Sequence, residues 1–157
     1  MGFIDSIKSF YFKTFDFRTR SSRSEFWYAF LAIFLFSLVI LFIPLSYSNF
    51  INFLASAINI LIFLPQISLI ARRFHDVGMS GWWQLCFPMA VLLMGATVYF
   101  DSTFGFVFAG PLSGALFIVF IYLMCKEGDT RDNKYGSDPL QCLGKKLIKT
   151  YQNSSAR

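Results

Sequence analysis

Four long stretches of the chain contain no Asp, Glu, Lys, Arg or His, and short polar segments separate them. The stretches cover residues 26–46, 50–70, 82–100 and 104–124. About 20 helical residues cross the ~30 Å hydrocarbon layer of a bilayer, where the backbone must be hydrogen-bonded within a helix or a closed barrel. Because the stretches lack the period-two alternation of barrel strands, they predict an all-α membrane protein with four transmembrane helices in an antiparallel bundle.

Composition supports this class. Hydrophobic residues make up 55% of the 157 residues, charged residues only 15%, and phenylalanine alone occurs 21 times. A soluble core that this chain could build is too small to hide so many large rings from water. We therefore expect membrane lipids to surround most of them.

All 14 basic residues fall on one side of the predicted bundle: before the first span, between the second and third, or after the fourth. The other side has only turns around residues 47–49 and 101–103, with one acid and no base. The positive-inside rule then predicts that both termini and the middle loop are cytoplasmic. The net charge of +5 is thus interpreted as a topology signal, and no nucleic-acid partner is expected.

Three parts follow along the chain: a cytoplasmic segment at 1–25, the transmembrane domain at 26–125 and a cytoplasmic tail at 126–157. Within the first part, apolar residues recur at near-helical spacing with lysines between them, at Phe3, Ile4, Ile7, Phe10 and Tyr11. This pattern favours a short amphipathic helix in the membrane interface, with a loosely ordered tail as the alternative.

Polar and aromatic residues of distinctive types cluster at the predicted cytoplasmic face. They are Arg23 and Glu25 before the first span, Arg72, Arg73, His75, Asp76, Ser80, Trp82 and Trp83 around the middle loop, and Asn133, Tyr135 and Gly136 after the fourth span. Ser22 and Glu25 have capping-box spacing, and Ser80 is placed to cap the third helix. Since antiparallel spans bring these segments to one surface, we expect Glu25 near Arg72 or Arg73.

Further ion pairs are expected at the same face. Arg23 or the second arginine of the pair should meet Asp76 or Asp129, because charges that leave bulk water need partners. The turn that follows Asp129 should fold against them.

The adjacent His75 and Asp76 allow two interpretations. A carboxylate that orients an imidazole suits catalysis or proton relay. Neighbours in sequence rarely point at each other, and no second histidine or nucleophile stands at a telling spacing, so a loop-ordering role is the alternative that we favour. No metal site, cofactor or catalytic residue is predicted.

Polar residues in the second span share one helical face, at Asn52, Ser56, Asn59 and Gln66. In lipid such a stripe should face partner helices, with a solute path as the alternative. In the fourth span, Gly110 and Gly114 form a small-xxx-small pair that predicts close helix contact. We favour packing within the bundle, with contact between two copies as the alternative.

The motifs also carry a resemblance to a known family. Arg72-Arg73-Phe74-His75-Asp76 followed by Ser80-Gly81-Trp82-Trp83, together with Arg23-Ser24-Glu25-Phe26-Trp27 and Asn133-Lys134-Tyr135-Gly136-Ser137-Asp138-Pro139, resembles the bacterial membrane family called domain of unknown function 805, the YhaH-like inner-membrane proteins. Matching stretches run from about residue 15 to 138. The resemblance implies a bacterial inner-membrane location and brings no activity, substrate or cofactor.

Three functional hypotheses follow. The first is a non-enzymatic module whose cytoplasmic face binds anionic lipid or an unidentified membrane or cytoplasmic protein partner, because the distinctive residues crowd that face. The second is a small transporter or channel component that uses the polar stripe, and the third is a membrane-embedded enzyme that uses His75 and Asp76. Homo-oligomerisation stays open.

Overall fold

The computed structural model describes residues 1–41, 49–99, 103–142, 144, 148, 152 and 153. Within this part of the chain, the named elements are all helices: α1 (Phe3–Phe12), α2 (Arg23–Leu41), α3 (Asn49–Asp76), a 3-10 helix (Gly81–Leu85), α4 (Cys86–Tyr99) and α5 (Thr103–Cys125). Four segments are long and apolar enough to cross a membrane, namely α2, α3, the 3-10 helix with α4, and α5. The predicted four-span, all-helical class is confirmed, whereas the two turns predicted at the other side lie almost entirely outside the described residues.

The helix α3 continues to Asp76, although the charge-free stretch ends at residue 70. Its last turns carry charged side chains that find partners, so the helical backbone need not stop where the apolar run stops. Gly78 then turns the chain with a φ of 78°, a value that favours glycine. Ser80 caps the following 3-10 helix, and its side chain accepts the N–H of Trp82.

The segment before the first span contains a helix, α1, which packs against α2 and α3. The Phe3 ring lies edge-on to the Tyr28 ring, with 5.9 Å between the ring centroids. The buried residues of α1 are Ser6, Ser9 and Phe10. The helix therefore turns a partly polar face to the bundle.

The best-packed core lies at one end of the bundle, where α2 begins and where α3 and α5 end. It contains Phe10, Phe26, Ala29, Leu69, Phe74 and Met124. Farther along the spans, large apolar side chains are widely exposed, for example Phe63, Val91 and Phe117. This pattern is typical of helices that contact lipid, and it leaves most close packing to the end that carries the polar motifs. We call that end, comprising α1, residues 13–25, residues 65–85 and residues 124–142, the polar end.

The packing of the polar stripe in α3 stays a prediction. Ser56 and Asn59 are exposed and Gln66 is half-buried, but Ser56 and Asn59 each take part in an interaction, and the side chain of Asn52 lies outside the described part. Within the described residues, the buried side chains of α3 lie only between Pro65 and Asp76, because the helices make close contact near the polar end.

Within the described residues, no helix packs closely against the glycine pair of α5. A Cβ built on Gly110 or on Gly114 meets no described atom within 4 Å. The prediction that these two glycines pack within the bundle is therefore wrong, and contact between two copies stays a prediction.

Candidate functional site at the polar end of the bundle

Glu25 and Arg72 form a buried ion pair. Arg72 Nη1 lies 2.9 Å from Glu25 Oε1, and the two side chains are 0% and 3% exposed. Ser9 Oγ donates to the same carboxylate oxygen at 2.6 Å, and Lys13 Nζ lies 3.8 Å from it. The prediction that Glu25 lies close to one of the two arginines is confirmed.

The capping box at the start of α2 is formed only in half. The Glu25 backbone N–H donates to Ser22 Oγ at 3.3 Å. In a complete capping box the Glu25 carboxylate would accept the backbone N–H of Ser22. Here it accepts from Arg72 and Ser9 and so joins α1, α2 and α3.

Asp76 is the second buried carboxylate, and two arginines bind it. Arg20 Nη2 lies 2.9 Å from Asp76 Oδ1, and Arg20 Nε donates to the same oxygen at 3.0 Å. Arg73 Nη1 contacts Asp76 Oδ2 one helical turn away. Both carboxylate oxygens are thus occupied, which offsets the cost of removing the charge from water. The predicted pairing of the second arginine with Asp76 is confirmed.

The same two arginines hold the chain that follows α5. Arg20 Nη1 donates to the carbonyl oxygens of Arg131 at 2.9 Å and Gly136 at 3.3 Å, and Arg20 Nη2 donates to that of Asp129. Arg73 Nη2 donates to the carbonyl oxygen of Lys126, and Arg73 Nε donates to that of Met124, at the end of α5, at 3.2 Å. The guanidinium groups therefore fix residues 126–138, which we call the tail loop, onto the helix ends.

His75 is also used in holding the tail loop. Its ring stacks on the Tyr135 ring, with 3.8 Å between centroids and 6° between planes, and its Nδ1 lies 3.3 Å from the Thr19 carbonyl oxygen. Asn133 Nδ2 donates to the His75 carbonyl oxygen at 3.0 Å. The His75 and Asp76 side chains therefore point into separate contacts, and the geometry gives His75 an ordering role.

The backbone of the tail loop also lies close to the end of α3. The Asp129 N–H donates to the Asp76 carbonyl oxygen at 2.8 Å. A Cβ built on Gly128 would overlap the Asp76 carboxylate, so only glycine fits there. Gly136 has a φ of 123° and closes the turn that begins at Asn133. The expectation that the turn after Asp129 folds against the other motifs is confirmed.

The remaining motif residues lie at the margin of this network. Arg23 Nη2 pairs with Glu127 Oε1 at 3.0 Å, but the two side chains are 48% and 76% exposed. Trp82 and Trp83 are exposed at the start of the 3-10 helix, as expected of aromatic residues at a membrane interface. They take no part in the contacts of the buried ions.

Sequence reasoning missed several members of the site. Arg20 occupies the place beside Asp76 for which Arg23 was considered, and Ser9, Lys13 and Gly128 were not predicted to take part. Arg20 stands in the same basic segment as Arg23, so composition could not choose between them. The contribution of α1 depends on how that helix is rotated, which spacing alone does not give.

Two further features lie within or beside the network. Among the described residues, Arg72 Nε and Nη2 and Ser21 Oγ are buried without a hydrogen-bond partner. A pocket of about 530 Å³ opens beside Glu25, between α1 and the tail loop. Its polar lining includes Ser9, Lys13, Thr19, Arg20, Glu25 and Ser137. Because Arg20 is occupied by Asp76 and by carbonyls, the half-exposed Lys13 is the basic side chain of this lining that can meet a ligand, although its Nζ also lies 3.8 Å from Glu25 Oε1. Met1 lines the pocket as well.

The comparison with known families agrees with these motifs. The model of a family described as "Protein of unknown function (DUF805)" matches residues 14–137, which include the arginines of the network, the histidine and the tail loop as far as Ser137. The chain belongs to the DUF805 family. No solved structure matches it significantly. The family match begins within the segment that joins α1 to α2 and ends within the last motif.

Two curated relatives are both described as inner membrane proteins. The chain is 31% identical over 127 residues to "Inner membrane protein YhaH" of Escherichia coli strain K12, covering 78% of this chain and 86% of the relative. It is 29% identical over 123 residues to "Inner membrane protein YhaI" of the same strain, covering 78% and 85%. These DUF805 relatives are named for their location and not for an activity.

Proposed function

We propose that this protein resides in a bacterial inner membrane with both termini in the cytoplasm, and that its polar end binds the anionic head group of a lipid without catalysing a reaction. The observation that supports this most directly is the pocket beside Lys13. The half-exposed ammonium group of Lys13 lies in its lining, 3.8 Å from Glu25 Oε1. Arg72 binds the same oxygen and is fully buried outside the lining, and its Nε and Nη2 lack partners among the described residues. Cationic donors at the depth of the head groups favour phosphate oxygens.

The contacts of His75 and Asp76 argue against an enzyme. A general base must reach the proton that it removes, yet the His75 ring is covered by Tyr135 and both Asp76 oxygens are bound by arginines. These residues instead build the rigid junction that holds the pocket. The exposed position of Ser56 and Asn59 likewise gives no support to a polar path enclosed by this chain.

A protein partner is the competing occupant of the same face. The tail loop exposes Arg131, Asp132 and Lys134 beside the pocket, and charged loops commonly contact other proteins. The lipid is preferred because the pocket is at the start of a membrane span, where head groups are always present.

The test uses the purified full chain in detergent and measures its melting temperature with and without phosphatidylglycerol. We expect the anionic lipid to raise the melting temperature more than phosphatidylcholine does, and Lys13→Ala to remove most of that difference. Lys8→Ala is the matched control, because Lys8 is an exposed lysine of α1 outside the pocket lining. Glycerol 3-phosphate, added separately, shows whether the phosphate group alone is enough.

An equal lipid effect in Lys13→Ala and Lys8→Ala would overturn the proposed site. A protein that copurifies with the wild type and is lost in Lys13→Ala, without any lipid-dependent shift, would instead identify a protein partner.

A further inference from the structure

The helix α1 buries two serines and exposes several large apolar side chains, beside the exposed Asp5 and Lys8. Ser6 and Ser9 are 0% and 7% exposed, whereas Ile4, Tyr11 and Phe12 are 67%, 57% and 88% exposed. Phe15, just beyond the helix, is 81% exposed. A soluble protein rarely presents so many large apolar side chains together, so this face requires an apolar environment.

One polar contact with the bundle fixes the rotation of α1 that produces this face. Ser9 Oγ donates to the buried Glu25 carboxylate at 2.6 Å, whereas the bond from Ser6 Oγ to the Gly2 carbonyl oxygen, at 2.9 Å, lies within the helix and its cap. On the same side, Phe10 is 2% exposed within the core. Turning the helix to cover Phe12 would withdraw Phe10 from that core and remove a partner from Glu25.

Several observations identify lipid as the material that covers this face. The Phe3 ring contacts the Tyr28 ring, and Tyr28 belongs to a membrane span, so the apolar face of α1 continues the lipid-facing surface of α2. Lys13 and Arg18 lie in the same segment and are half-buried and exposed, as suits anionic head groups. The exposed Asp5 and Lys8 of α1 have opposite charges, and Asp16 binds backbone amides of its own turn.

We propose that α1 and residues 13–17 form a membrane-inserting wedge, with Ile4, Phe12 and Phe15 in the acyl region of the leaflet at the polar end and with the serine face against the bundle. The wedge would set the depth of the polar end in the leaflet. This inference does not depend on the head-group pocket, because an inserted wedge requires no bound lipid at Lys13.

The test uses spin labels on the full chain in single-protein nanodiscs of phosphatidylethanolamine and phosphatidylglycerol. Serine replaces Cys86, Cys125 and Cys142, and single cysteines are introduced as Phe12→Cys and Phe15→Cys. Thr130→Cys, on the exposed tail loop, is the control in water. Collision rates are measured with oxygen, which concentrates in hydrocarbon, and with a water-soluble nickel chelate.

We expect the ratio of oxygen to nickel collisions at positions 12 and 15 to exceed that at position 130 by about tenfold or more, since the wedge sites lie in the acyl region. A ratio at positions 12 and 15 equal to that at position 130 would place the segment in water and overturn the proposal. Low collision rates with both reagents would also overturn it, because they would indicate that protein covers the face. If a label unfolds the chain, quenching of Phe15→Trp by bromine-labelled acyl chains, in a background with Trp27, Trp82 and Trp83 replaced by phenylalanine, gives the same distinction.

Discussion

The ion pair of Glu25 and Arg72 shows what a single residue contributes at the polar end. Both side chains have left water, and each would be costly to bury alone. Their pairing joins the start of α2 to the end of α3, and Ser9 extends the junction to α1. The pair therefore specifies how three helices meet.

The first prediction concerns the coupling of this pair. Glu25→Gln and Arg72→Met should each lower the free energy of unfolding by about 3 kcal/mol, because each leaves a buried charge without its partner. The double variant should lose less than the sum, with a coupling on the order of 1–3 kcal/mol. Thermal or denaturant unfolding in detergent measures all three.

Arg23 and Glu127 provide the matched control. This pair has a similar separation of 3.0 Å but is exposed to solvent. Arg23→Met and Glu127→Gln should couple by less than about 1 kcal/mol, as exposed ion pairs do. Equal coupling in the two pairs would show that burial does not decide the contribution of the Glu25 pair.

The second prediction concerns Gly128. An alanine there would push its Cβ into the Asp76 carboxylate, so the tail loop should be displaced from the arginines. We expect Gly128→Ala to lower the free energy of unfolding by about 2 kcal/mol and to increase proteolysis of residues 126–138. Gly144→Ala is the control, since its Cβ would meet no described atom within 4 Å. An unchanged cleavage rate in Gly128→Ala would disprove the close approach.

At the scale of elements, the connection from α1 to α2 is organised by Asp16 and Ser68. The Asp16 carboxylate accepts from the Thr19 hydroxyl at 2.6 Å and from the Arg18 and Thr19 amides. Ser68 Oγ lies within 2.9 Å of the carbonyl oxygens of Lys13 and Asp16. These contacts fasten the connection to α3 and bring Arg20 to Asp76.

The third prediction is a pH dependence that arises at this connection. Partial burial alone would raise the pKa of the Asp16 carboxyl, but its hydrogen bonds outweigh burial and hold the pKa below the ordinary value of 3.8. A carboxyl with a lowered pKa stabilises the fold above the pKa of the unfolded chain and loses this effect as the pH falls through the folded value. Stability from Asp16 should therefore be complete at neutral pH and disappear below pH 3.8.

Melting curves of the wild type and Asp16→Asn between pH 3 and pH 7 check this. The variant should be less stable at pH 7 by about 1 kcal/mol or less, because the site is half-exposed, and the difference should shrink below pH 4. Asp132→Asn, on the exposed tail loop, should show no such trend. A difference for Asp16→Asn that stays constant down to pH 3 would exclude the proposed cause.

The elements differ in how far the sequence predicts them. The four spans follow from the absence of charge over about 20 residues, since lipid permits few alternatives to a helix. The meeting of Glu25 with Arg72 follows from antiparallel topology and from the cost of unpaired buried charge. The end of α3 at Asp76 could not be predicted in this way, because its last turns depend on partners that are distant in sequence, such as Arg20 and Met124.

At the scale of the whole molecule, close packing and membrane contact are divided between different regions. The buried polar residues cluster at the polar end, while the described parts of the spans expose many large apolar side chains. Helical spacing predicts that Ser56 and Asn59 share a face but not what covers that face, so the packing of this stripe stays a prediction. The arginine network therefore fixes how the helices meet at the polar end, and we expect lipid to surround the exposed apolar side chains of the spans.

The last prediction is that the polar end faces the cytoplasm. All 14 basic residues belong to segments that lead to this end or follow it, and moving so many cations across the membrane during insertion is strongly disfavoured. Thr130→Cys and Thr103→Cys, each in a background without native cysteines, report on opposite ends, since Thr130 lies in the tail loop and Thr103 begins α5. In spheroplasts, a membrane-impermeant maleimide should label Thr103→Cys at least tenfold faster than Thr130→Cys, because only the outer end is accessible. After lysis, labelling at Thr130→Cys should rise to a similar rate. Rapid labelling of Thr130→Cys before lysis would reverse the orientation, and it would also place the pocket beside Lys13 on the outer surface, where the proposed cytoplasmic function could not operate.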